Sequence, residues 1–510
     1  MANHLYDAIS AANPGDSKAL ILLPEGGRVS YGDAFALAGR LAGHLIRRGV
    51  KPSDRVAVQV EKSWQALALY LACVRAGAVY LPLNTAYPLA ELEYFLTDAE
   101  PSLVVCQPEN EAGVKALVKA LTNKPGIQTV ETLGIKGDGS LLSAAADAPV
   151  PPVVAREPDD LAAILYTSGT TGRSKGAMLT HENLLSNARV LKDYWRFTAN
   201  DTLLHALPIF HTHGLFVASN VVLLAGAAMI FCAKFDAGEC MRLMPQATSM
   251  MGVPTFYVRL VDQPGLDRTA TKHMRLFVSG SAPLLAETHR AFSERTGHAI
   301  LERYGMTETN MNTSNPYDGD RVPGSVGFPL PGVELRITEP ESGRPLAQGE
   351  TGMIEVKGPN IFKGYWRMPD KTAAEFRGSF FITGDLGRID ERGYVHIVGR
   401  AKDLVISGGF NVYPKEVESE IDEIDGVLES AVIGLPHLDL GEGVTAVVVR
   451  EKGANLGEAE VLAALEGRLA KFKQPKRVFF VEELPRNTMG KVQKNVLRDT
   501  YARTYAHGAA

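Results

Sequence analysis

The sequence predicts an α/β protein with a large N-terminal domain, a small β-barrel-like subdomain and a small α+β domain on a hinge at the C-terminus. The chain has 510 residues, and a single hydrophobic core stops growing near roughly 250–300 residues, so more than one domain is expected. Up to about Gly324, short β-rich runs alternate with helical patterns, which is typical of parallel sheets covered by helices. After Gly399, strands and helices mix in a shorter unit.

The elements of the N-terminal domain follow one another in a regular order. Residues 55–60 read as a strand and residues 64–70 as a helix. A strand at 161–166 leads through a glycine-rich loop to a helix near 181–195. The other predicted strands are 102–106, 203–207, 228–232, 249–253 and 276–278. We therefore expect two or more parallel sheets in this region.

Glycine-punctuated strands follow, at 333–338, 353–356 and 394–398, and they suit a small barrel or a distorted antiparallel sheet. The last part of the chain has the pattern of a compact α+β domain. Its predicted elements are helices 414–424 and 458–469 and strands 431–433, 444–449 and 477–481. A short polar linker at 400–403 precedes it, so the predicted divisions are domain 1–399, this linker and domain 404–510.

The composition is that of an ordinary globular protein, with 45% apolar and 22% charged residues. A net charge of −5 argues against a nucleic-acid or anionic-membrane surface as partner. The longest apolar run, 214–232, is broken by Ser219, Asn220 and Gly226, so it predicts a buried helix and strand, not a membrane span. No signal peptide is visible, and a cytoplasmic protein is expected. Four cysteines at no metal-ligand spacing predict buried thiols in a reducing compartment: Cys73, Cys106, Cys232 and Cys240.

The segment from Tyr166 to Gly176 has the chemistry of a polyphosphate cradle. It reads Y-T-S-G-T-T-G-R-S-K-G and holds three glycines, five Ser or Thr residues and two cations. Glycines allow successive N–H groups to converge on anionic oxygens, and cations offset the ligand's charge. It is not a Walker A loop, because Lys175 is followed by glycine. From composition alone, a flexible polar surface loop is an equal alternative.

The same segment resembles the phosphate loop of the adenylate-forming superfamily, which contains acyl-CoA synthetases, adenylation domains and firefly-type luciferases. The resemblance implies that the loop holds the β- and γ-phosphates of ATP. The residues it implies as ATP contacts are Thr167, Ser168, Gly169, Thr170, Thr171, Gly172 and Lys175.

The run R-Y-G-M-T-E-T at 303–309 resembles the second signature of this superfamily. It follows the apolar run 299–301, so we expect it just beyond the carboxyl end of a strand, where open α/β sheets bind ligands. The resemblance implies that Tyr304 covers the adenine, Thr307 contacts the α-phosphate and Glu308 ligates Mg²⁺. The further nucleotide contacts it implies are Arg303, Gly305, Met306, Gly280, Ser281 and Ala282.

Four motifs in the last quarter of the chain extend the resemblance. Asp385, in F-I-T-G-D-L, is similar to the aspartate that accepts from both ribose hydroxyls, and Arg400 to the arginine that joins it there. Lys402 occupies the hinge position about which the C-terminal domain turns, and Lys491, in N-T-M-G-K-V, resembles the catalytic lysine. Read without the family, these are a Gly–Asp turn and ordinary solvated cations. The segment implied to line the pantetheine tunnel of coenzyme A is Ser407, Gly408 and Gly409.

The acyl pocket of this superfamily is built from three segments, here 207–215, 252–259 and 278–283, and they are most similar to those of its malonyl-CoA synthetase branch. That resemblance places His211 beside the reacting carboxylate and Arg259 on the second carboxylate, with His213 and Ser281 nearby. The physical argument agrees, because one buried methylene contributes only about 0.8 kcal/mol, whereas a buried anion needs a cation with a fork of donors. A packed core histidine and an exposed helix arginine are the alternatives.

These interpretations predict an ATP- and Mg²⁺-dependent acid–CoA ligase that activates malonate or methylmalonate as an acyl-adenylate and transfers the acyl group to coenzyme A. Because some bacterial members are acetylated at this lysine, a lysine acetyltransferase and deacetylase acting on Lys491 are candidate partners. A medium-chain or aryl acyl-CoA ligase is one alternative. An adenylation domain loading a carrier protein and a non-catalytic nucleotide-binding protein are the others.

Overall fold

The computed structural model describes residues 2–121, 129–167, 174–408, 410–466, 468–487 and 490–505. By packing, the chain divides into two compact units, which are described separately. The first unit comprises Met1–Pro323, Gly327–Glu334 and Lys357–Ser379. The second comprises Gly324–Val326, Leu335–Val356 and Phe380–Ala510. The boundaries expected from the sequence, with a hinge at 400–403, stay a prediction.

The helices are numbered along the whole described chain. They are α1 His4–Ala11, α2 Tyr31–Arg47, α3 Trp64–Arg75, α4 Leu89–Ala99, α5 Glu111–Ala120, α6 Ser140–Ala145, α7 His181–Tyr194, α8 Asn220–Ala225, α9 Ala237–Leu243, α10 Pro254–Val261, α11 Ala286–Thr296, α12 Pro369–Ala374, α13 Pro414–Ile421, α14 Glu458–Leu465 and α15 Lys494–Tyr501.

The strands are numbered in the same way. They are β1 Ala19–Leu22, β2 Arg28–Ser30, β3 Arg55–Gln59, β4 Val79–Pro82, β5 Leu103–Cys106, β6 Thr129–Thr132, β7 Leu161–Thr167, β8 Lys175–Thr180, β9 Thr202–His205, β10 Ala228–Phe231, β11 Ser249–Gly252, β12 Leu276–Ser279, β13 Leu301–Met306, β14 Asn310–Ser314, β15 Phe328–Pro329, β16 Glu334–Thr338, β17 Gly352–Lys357, β18 Gly364–Tyr365, β19 Phe376–Arg377, β20 Phe380–Ile389, β21 Val395–Arg400, β22 Val405–Ser407, β23 Phe410–Val412, β24 Val427–His437, β25 Gly441–Arg450 and β26 Arg477–Val481.

Two sheets form the frame of the first unit. In the described residues their strand orders are β18-β8-β7-β4-β3-β5-β6 and β15-β14-β13-β12-β11-β9-β10-β1-β2. Their central pairs are parallel, as between β3 and β5 or β11 and β12, and helices alternate with them along the chain. The α/β fold class expected from the alternating pattern is confirmed. The side chains of the central strands are almost wholly buried, as expected for parallel strands covered on both faces.

The apolar run 214–232 folds as expected, into buried helix followed by strand. A π-helical turn spans His213–Ser219 and continues as α8, which ends at Gly226 with φ +63°. Glycine is the residue that adopts this left-handed conformation at no steric cost, and it lets the chain turn into β10. In the part of the chain that the structure describes, no helix is long and apolar enough to cross a membrane.

The described residues of the second unit form two sheets. β17 pairs antiparallel with β20, and β20 with β21, as expected for the barrel-like subdomain. The other sheet has the order β23-β22-β25-β24, with β26 beside β25, and packs its valines against α13 and α14. Two helices are shorter than the sequence suggested. The first, α13, ends at Ile421. The second, α14, ends at Leu465 because Glu466 is already extended, and the glycine that follows it in sequence has low helix propensity.

Candidate active site

The glycine-rich segment joins two antiparallel strands. β7 and β8 pair so that Thr167 lies opposite Lys175. The expectation that the segment leads directly to helix 181–195 is wrong, since β8 comes between. The pattern hid this strand, because it opens with a lysine and a glycine, both depleted in strands. The expected ATP contacts Ser168, Gly169, Thr170, Thr171 and Gly172 lie outside the described residues.

Lys175 begins β8 at the base of this hairpin. Its Nζ lies 3.4 Å from Oε1 of Glu375 and 4.1 Å from the centroid of the Tyr365 ring. Lys371 also contacts the Glu375 carboxylate, at 2.8 Å. The lysine therefore stands between one carboxylate and one aromatic face, in a position where a second anion can compete for its charge.

The Tyr-Gly signature continues β13 instead of beginning beyond it. The strand includes Arg303, Tyr304, Gly305 and Met306 and turns back as β14, with Tyr304 opposite Thr313. The expected loop position is corrected in this respect, because the turn needs only a few residues after 306. A β-carbon at Gly305 would lie 1.8 Å from the carbonyl oxygen of Asn310, so only glycine allows this turn. Tyr304 and Thr307 are partly exposed.

Glu308 is 6% exposed, and its Oε1 accepts a 3.0 Å hydrogen bond from the hydroxyl of Tyr365. Its carbonyl oxygen accepts another from the N–H of Phe362, at 2.8 Å. The described residues contain no cluster of three or more metal-ligating side chains. A single carboxylate fits Mg²⁺, which is commonly bound through one or two carboxylates and the phosphates of a substrate.

Arg303 is a deeply buried cation of the first unit. Its side chain is 3% exposed, and Nε and Nη2 have no hydrogen-bond partner among the described residues. Burial lowers the pKa of the guanidinium to about 9. A β-carbon at Gly280 would lie 2.4 Å from Cζ of Arg303, so the glycine is what makes room for the guanidinium.

His213 and Ser281 lie beside this guanidinium. Ser281 follows Gly280 with φ +75°, and its Oγ lies 3.4 Å from Nδ1 of His213. Nε2 of His213 is buried without a partner in the described part of the chain. Burial, followed by the Arg303 charge, holds the pKa of His213 well below its usual value. The cluster thus offers a cation, a neutral imidazole and a hydroxyl, a donor set suited to a carboxylate.

The buried Lys62 contacts His205, which comes just before the histidine segment. Nζ of Lys62 lies 2.8 Å from Nδ1 of His205 and 2.7 Å from its carbonyl oxygen. Nε2 of His205 donates to the carbonyl oxygen of Gly214, at 2.9 Å, so Nδ1 is the acceptor and Lys62 the donor. These hydrogen bonds link Lys62 through His205 to Gly214, the residue next to His213. Burial lowers the pKa of Lys62 to about 7.

The two other expected acyl-pocket residues, His211 and Arg259, lie in different environments. His211 is partly buried and stacks at a tilt on Phe210, with ring centroids 4.5 Å apart. Arg259 lies on the exposed face of α10, and its guanidinium makes no ion pair within the described residues. This exposure agrees with the alternative interpretation of Arg259 as an exposed helix arginine. Its role on a second carboxylate stays a prediction.

In the second unit, Asp385 and Arg400 form an ion pair, and their role at the ribose stays a prediction. They lie opposite each other in β20 and β21, and Nε of Arg400 is 2.6 Å from Oδ1 of Asp385. The segment 381–386 is part of a strand, not a turn. Gly384, with φ +72°, distorts that strand beside the carboxylate. The N–H of Asp385 donates to Oγ1 of Thr383, at 3.0 Å, which fixes the backbone at this point.

The hinge candidate Lys402 lies exposed in a single 3-10 turn, Ala401–Asp403. Burial of part of its side chain lowers its pKa. The next residue, Asp403, forms a 2.6 Å ion pair with Arg498 of α15. The backbone N–H of Gly408, with φ +59°, donates to the carbonyl of Leu440, and Ser407 is buried next to it. Gly409 lies outside the described residues.

Lys491 lies exposed at the end of a tight turn. Its N–H donates to Oδ1 of Asn487, at 3.0 Å, and its carbonyl accepts from the N–H of Asn487. Arg486 donates to the carbonyl of Gly490, at 2.7 Å, and forms an ion pair with Glu429 on β24. The backbone that presents the lysine is therefore held from both sides.

Sequence reasoning missed two residues of the first unit, Tyr365 and Glu375. Tyr365 contacts Lys175 and Glu308, and Glu375 contacts Lys175, both of which were selected from the sequence. The run G-Y-W at 364–366 was a usable signal, since Gly followed by two aromatic residues marks a short strand next to a turn. Their proximity to the hairpin depends on long-range pairing of β18 with β8, which the sequence does not display.

Two family profiles match the chain. Residues 8–366 match the AMP-binding enzyme family, and residues 416–491 match the AMP-binding enzyme C-terminal domain.

Individual proteins of known description are also similar to it. A feruloyl-CoA synthase of Amycolatopsis sp is 36% identical, covering 93% of this chain and 94% of its own length. A malonate–CoA ligase of Arabidopsis thaliana is 35% identical, covering 90% and 78%. The crystal structure of ATP-bound MatB from Rhodopseudomonas palustris is 64% identical, with a TM-score of 0.96 over 99% of this chain and 100% of that one.

Proposed function

This chain belongs to the family of AMP-binding enzymes, the adenylate-forming superfamily, and on that premise we propose that it is a malonate–CoA ligase. It converts malonate, ATP and coenzyme A to malonyl-CoA, AMP and pyrophosphate. Methylmalonate is the second acid that the same donor set accepts, since it differs by one methyl group and keeps both carboxylates.

The observation that carries the proposal is the buried guanidinium of Arg303, whose Nε and Nη2 lack partners in the described residues. A buried charge without a partner costs several kcal/mol, so such a group is retained where a ligand completes it. The second carboxylate of a short diacid fits, because guanidinium and carboxylate pair through two parallel hydrogen bonds. We therefore assign Arg303 to the acid instead of the nucleotide, with Ser281 and His213 as further donors.

The reaction proceeds in two steps. A carboxylate oxygen of malonate attacks the α-phosphorus of ATP, and the bond from that phosphorus to the bridging oxygen of the β-phosphate breaks, so pyrophosphate leaves. The resulting mixed anhydride has AMP as a good leaving group. The thiolate of coenzyme A then attacks the acyl carbon, and AMP departs with the shared oxygen.

The chain's own residues would hold the nucleotide at separate points. Tyr304 covers the adenine, Asp385 and Arg400 take the ribose hydroxyls, and Thr307 contacts the α-phosphate. The hairpin loop with Lys175 takes the β- and γ-phosphates. Glu308 would hold Mg²⁺, which when bound neutralises the negative charge of the triphosphate.

Lys491 stabilises the charge that develops as the acyl-adenylate forms, because a cation aimed at a transferring phosphoryl group acts mainly in the transition state. A rotation about Lys402 then ends that step and lets the glycines at 408 and 409 line the path of the pantetheine arm.

The exposed Lys491 is open to acetylation by a protein lysine acetyltransferase, which would remove its charge. The four cysteines are buried free thiols, which supports a reducing, cytoplasmic setting.

An aryl acyl-CoA ligase is the second candidate, because the feruloyl-CoA synthase is as similar to the chain as the malonate–CoA ligase. A panel of malonate, methylmalonate, butyrate, benzoate and ferulate, followed by CoA-dependent release of AMP, separates the two. Malonate is expected to give the highest kcat/KM. Faster turnover of butyrate or ferulate would overturn the assignment, and AMP release without any of these acids would point to another substrate class.

A further inference from the structure

One side chain of the first unit contacts both Lys175, at the start of β8, and the carboxylate assigned to Mg²⁺. Tyr365 is 3% exposed. Its hydroxyl donates to Oε1 of Glu308, at 3.0 Å, and its ring faces the ammonium of Lys175, with 4.1 Å from Nζ to the centroid. The carboxylate of Glu308 therefore contacts the hydroxyl of this side chain, and the ammonium of Lys175 contacts its ring face.

The backbone holds this tyrosine firmly in place. Tyr365 pairs with Ala177 of β8, two residues beyond Lys175, and its N–H donates to Oγ1 of Thr372, at 2.9 Å. The next N–H, that of Trp366, donates to the carbonyl of Gly176, at 2.7 Å. These bonds fix the backbone of Tyr365 relative to the start of β8.

The tyrosine also has a fixed relation to Glu308. The N–H of Phe362, on the same segment, donates to the carbonyl oxygen of Glu308. The rings of Phe362 and Tyr365 meet edge to face, with centroids 4.8 Å apart. The segment 362–366 thus contacts both the backbone and the side chain of Glu308, and it also hydrogen-bonds to the start of β8.

We propose that Tyr365 is a positioning residue that couples triphosphate binding at Lys175 to metal binding at Glu308. Its hydroxyl orients the carboxylate for Mg²⁺, and its ring holds the ammonium where the phosphates arrive. Glu375 supplies the counter-charge that the triphosphate displaces from Lys175. This role rests on the proposed use of ATP and does not depend on which acid is activated.

The test measures equilibrium binding of a non-hydrolysable ATP analogue by calorimetry, with and without Mg²⁺. Tyr365→Phe keeps the ring and removes the hydroxyl. Its affinity without the metal is expected to match wild type, whereas the gain in affinity on adding Mg²⁺ falls about tenfold, the factor typical of a lost hydrogen bond to a charged group. Tyr365→Leu also removes the aromatic face, so its metal-free affinity falls as well, by about threefold or more.

A double-mutant cycle separates this coupling from general damage to the fold. If the hydroxyl acts through the carboxylate, Tyr365→Phe has no further effect on the Mg²⁺ gain in a Glu308→Gln background. The control is Tyr31→Phe, which loses an equally buried hydroxyl bonded to the carbonyl of Ala227, at 2.8 Å. It is expected to leave both affinities unchanged.

An undiminished Mg²⁺ gain in Tyr365→Phe, or a full additional loss in the Glu308→Gln background, would overturn the proposal. Thermal unfolding is recorded for every variant. If Tyr365→Leu does not fold, Lys175→Met replaces it, and an unchanged metal-free affinity there contradicts the role of the ring. A wild-type protein that binds no ATP analogue at all would instead refute the proposed function.

Discussion

Arg303 and Gly280 approach so closely that a β-carbon on the glycine would lie 2.4 Å from the central carbon of the guanidinium. The two residues come from adjacent parallel strands, since β12 pairs with β13 and position 280 directly follows β12. The missing side chain at 280 leaves the space that a long, buried cation needs. The following residue, Ser281, then points its hydroxyl toward His213.

Gly280→Ala is expected to lower kcat/KM for malonate by about 10- to 100-fold, because a displacement of a binding group by about 1 Å costs on this scale. The loss should appear mainly in the KM for malonate and leave the KM for ATP close to wild type. The matched control is Gly265→Ala. No atom lies closer than 4.0 Å to a β-carbon there, and the backbone is not in the left-handed region. Equal losses in the two variants would contradict the account.

Asp385→Asn should raise the KM for ATP about 10- to 100-fold, since a hydrogen bond that involves a charged group contributes about 1.5–3 kcal/mol. The substitution also removes the negative charge that lies 2.6 Å from Nε of Arg400. The KM for coenzyme A serves as the internal control and should stay unchanged. Steady-state kinetics with each substrate varied in turn measure both constants, and a change confined to coenzyme A would refute the ribose assignment.

Lys491→Ala is expected to slow adenylation by about 10²–10³-fold, the loss typical of one well-placed electrostatic donor. Thioester formation from supplied malonyl-adenylate should be largely spared. Pyrophosphate exchange measures the first half-reaction, and release of AMP from the supplied adenylate measures the second. Lys452→Ala, an exposed lysine of the same unit, is the control. A similar loss in both half-reactions would show that the lysine does not act in adenylation alone.

The buried Lys62 predicts a pH dependence of stability. Its pKa is about 7 in the folded protein and near 10.5 unfolded, so between these values the unfolded chain binds the extra proton. Stability therefore rises with pH across this window, by about 1.4 kcal/mol per unit, and is lost again as the pH falls toward 7. Lys62→Met should lack this slope, which thermal unfolding of the two proteins at several pH values measures. Parallel pH profiles would contradict the buried, neutral lysine.

Much of the fold was readable from the sequence because its strands are short apolar runs separated by helical patterns. β3, β5, β12 and β26 agree with the expected ranges to within a residue or so, since buried β-branched runs between polar turns have few alternatives. β8 was missed because Lys175 and Gly176 weaken its strand pattern. The ends of α13 and α14 were placed too late, since helix ends are decided by local backbone geometry more than by periodicity.

The acyl pocket was less readable. The burial of Arg303 beside Gly280 and His213 results from the pairing of β12 with β13 and from the packing of the histidine segment, which sequence spacing does not reveal. For Arg259 a signal did exist. On α10 the buried residues are Pro254, Tyr257 and Leu260, a spacing of three that turns position 259 toward solvent.

The most direct test of the central claim is the acid specificity of Arg303→Met. Removing one partner of a buried charge pair costs about 2–5 kcal/mol, so kcat/KM for malonate should fall by at least about 30-fold. For butyrate, which carries an uncharged ethyl group in place of the second carboxylate, kcat/KM should stay level or rise. Wild-type and variant enzyme are compared with both acids by CoA-dependent AMP release. A proportional loss for malonate and butyrate would contradict the assignment of Arg303 to the second carboxylate.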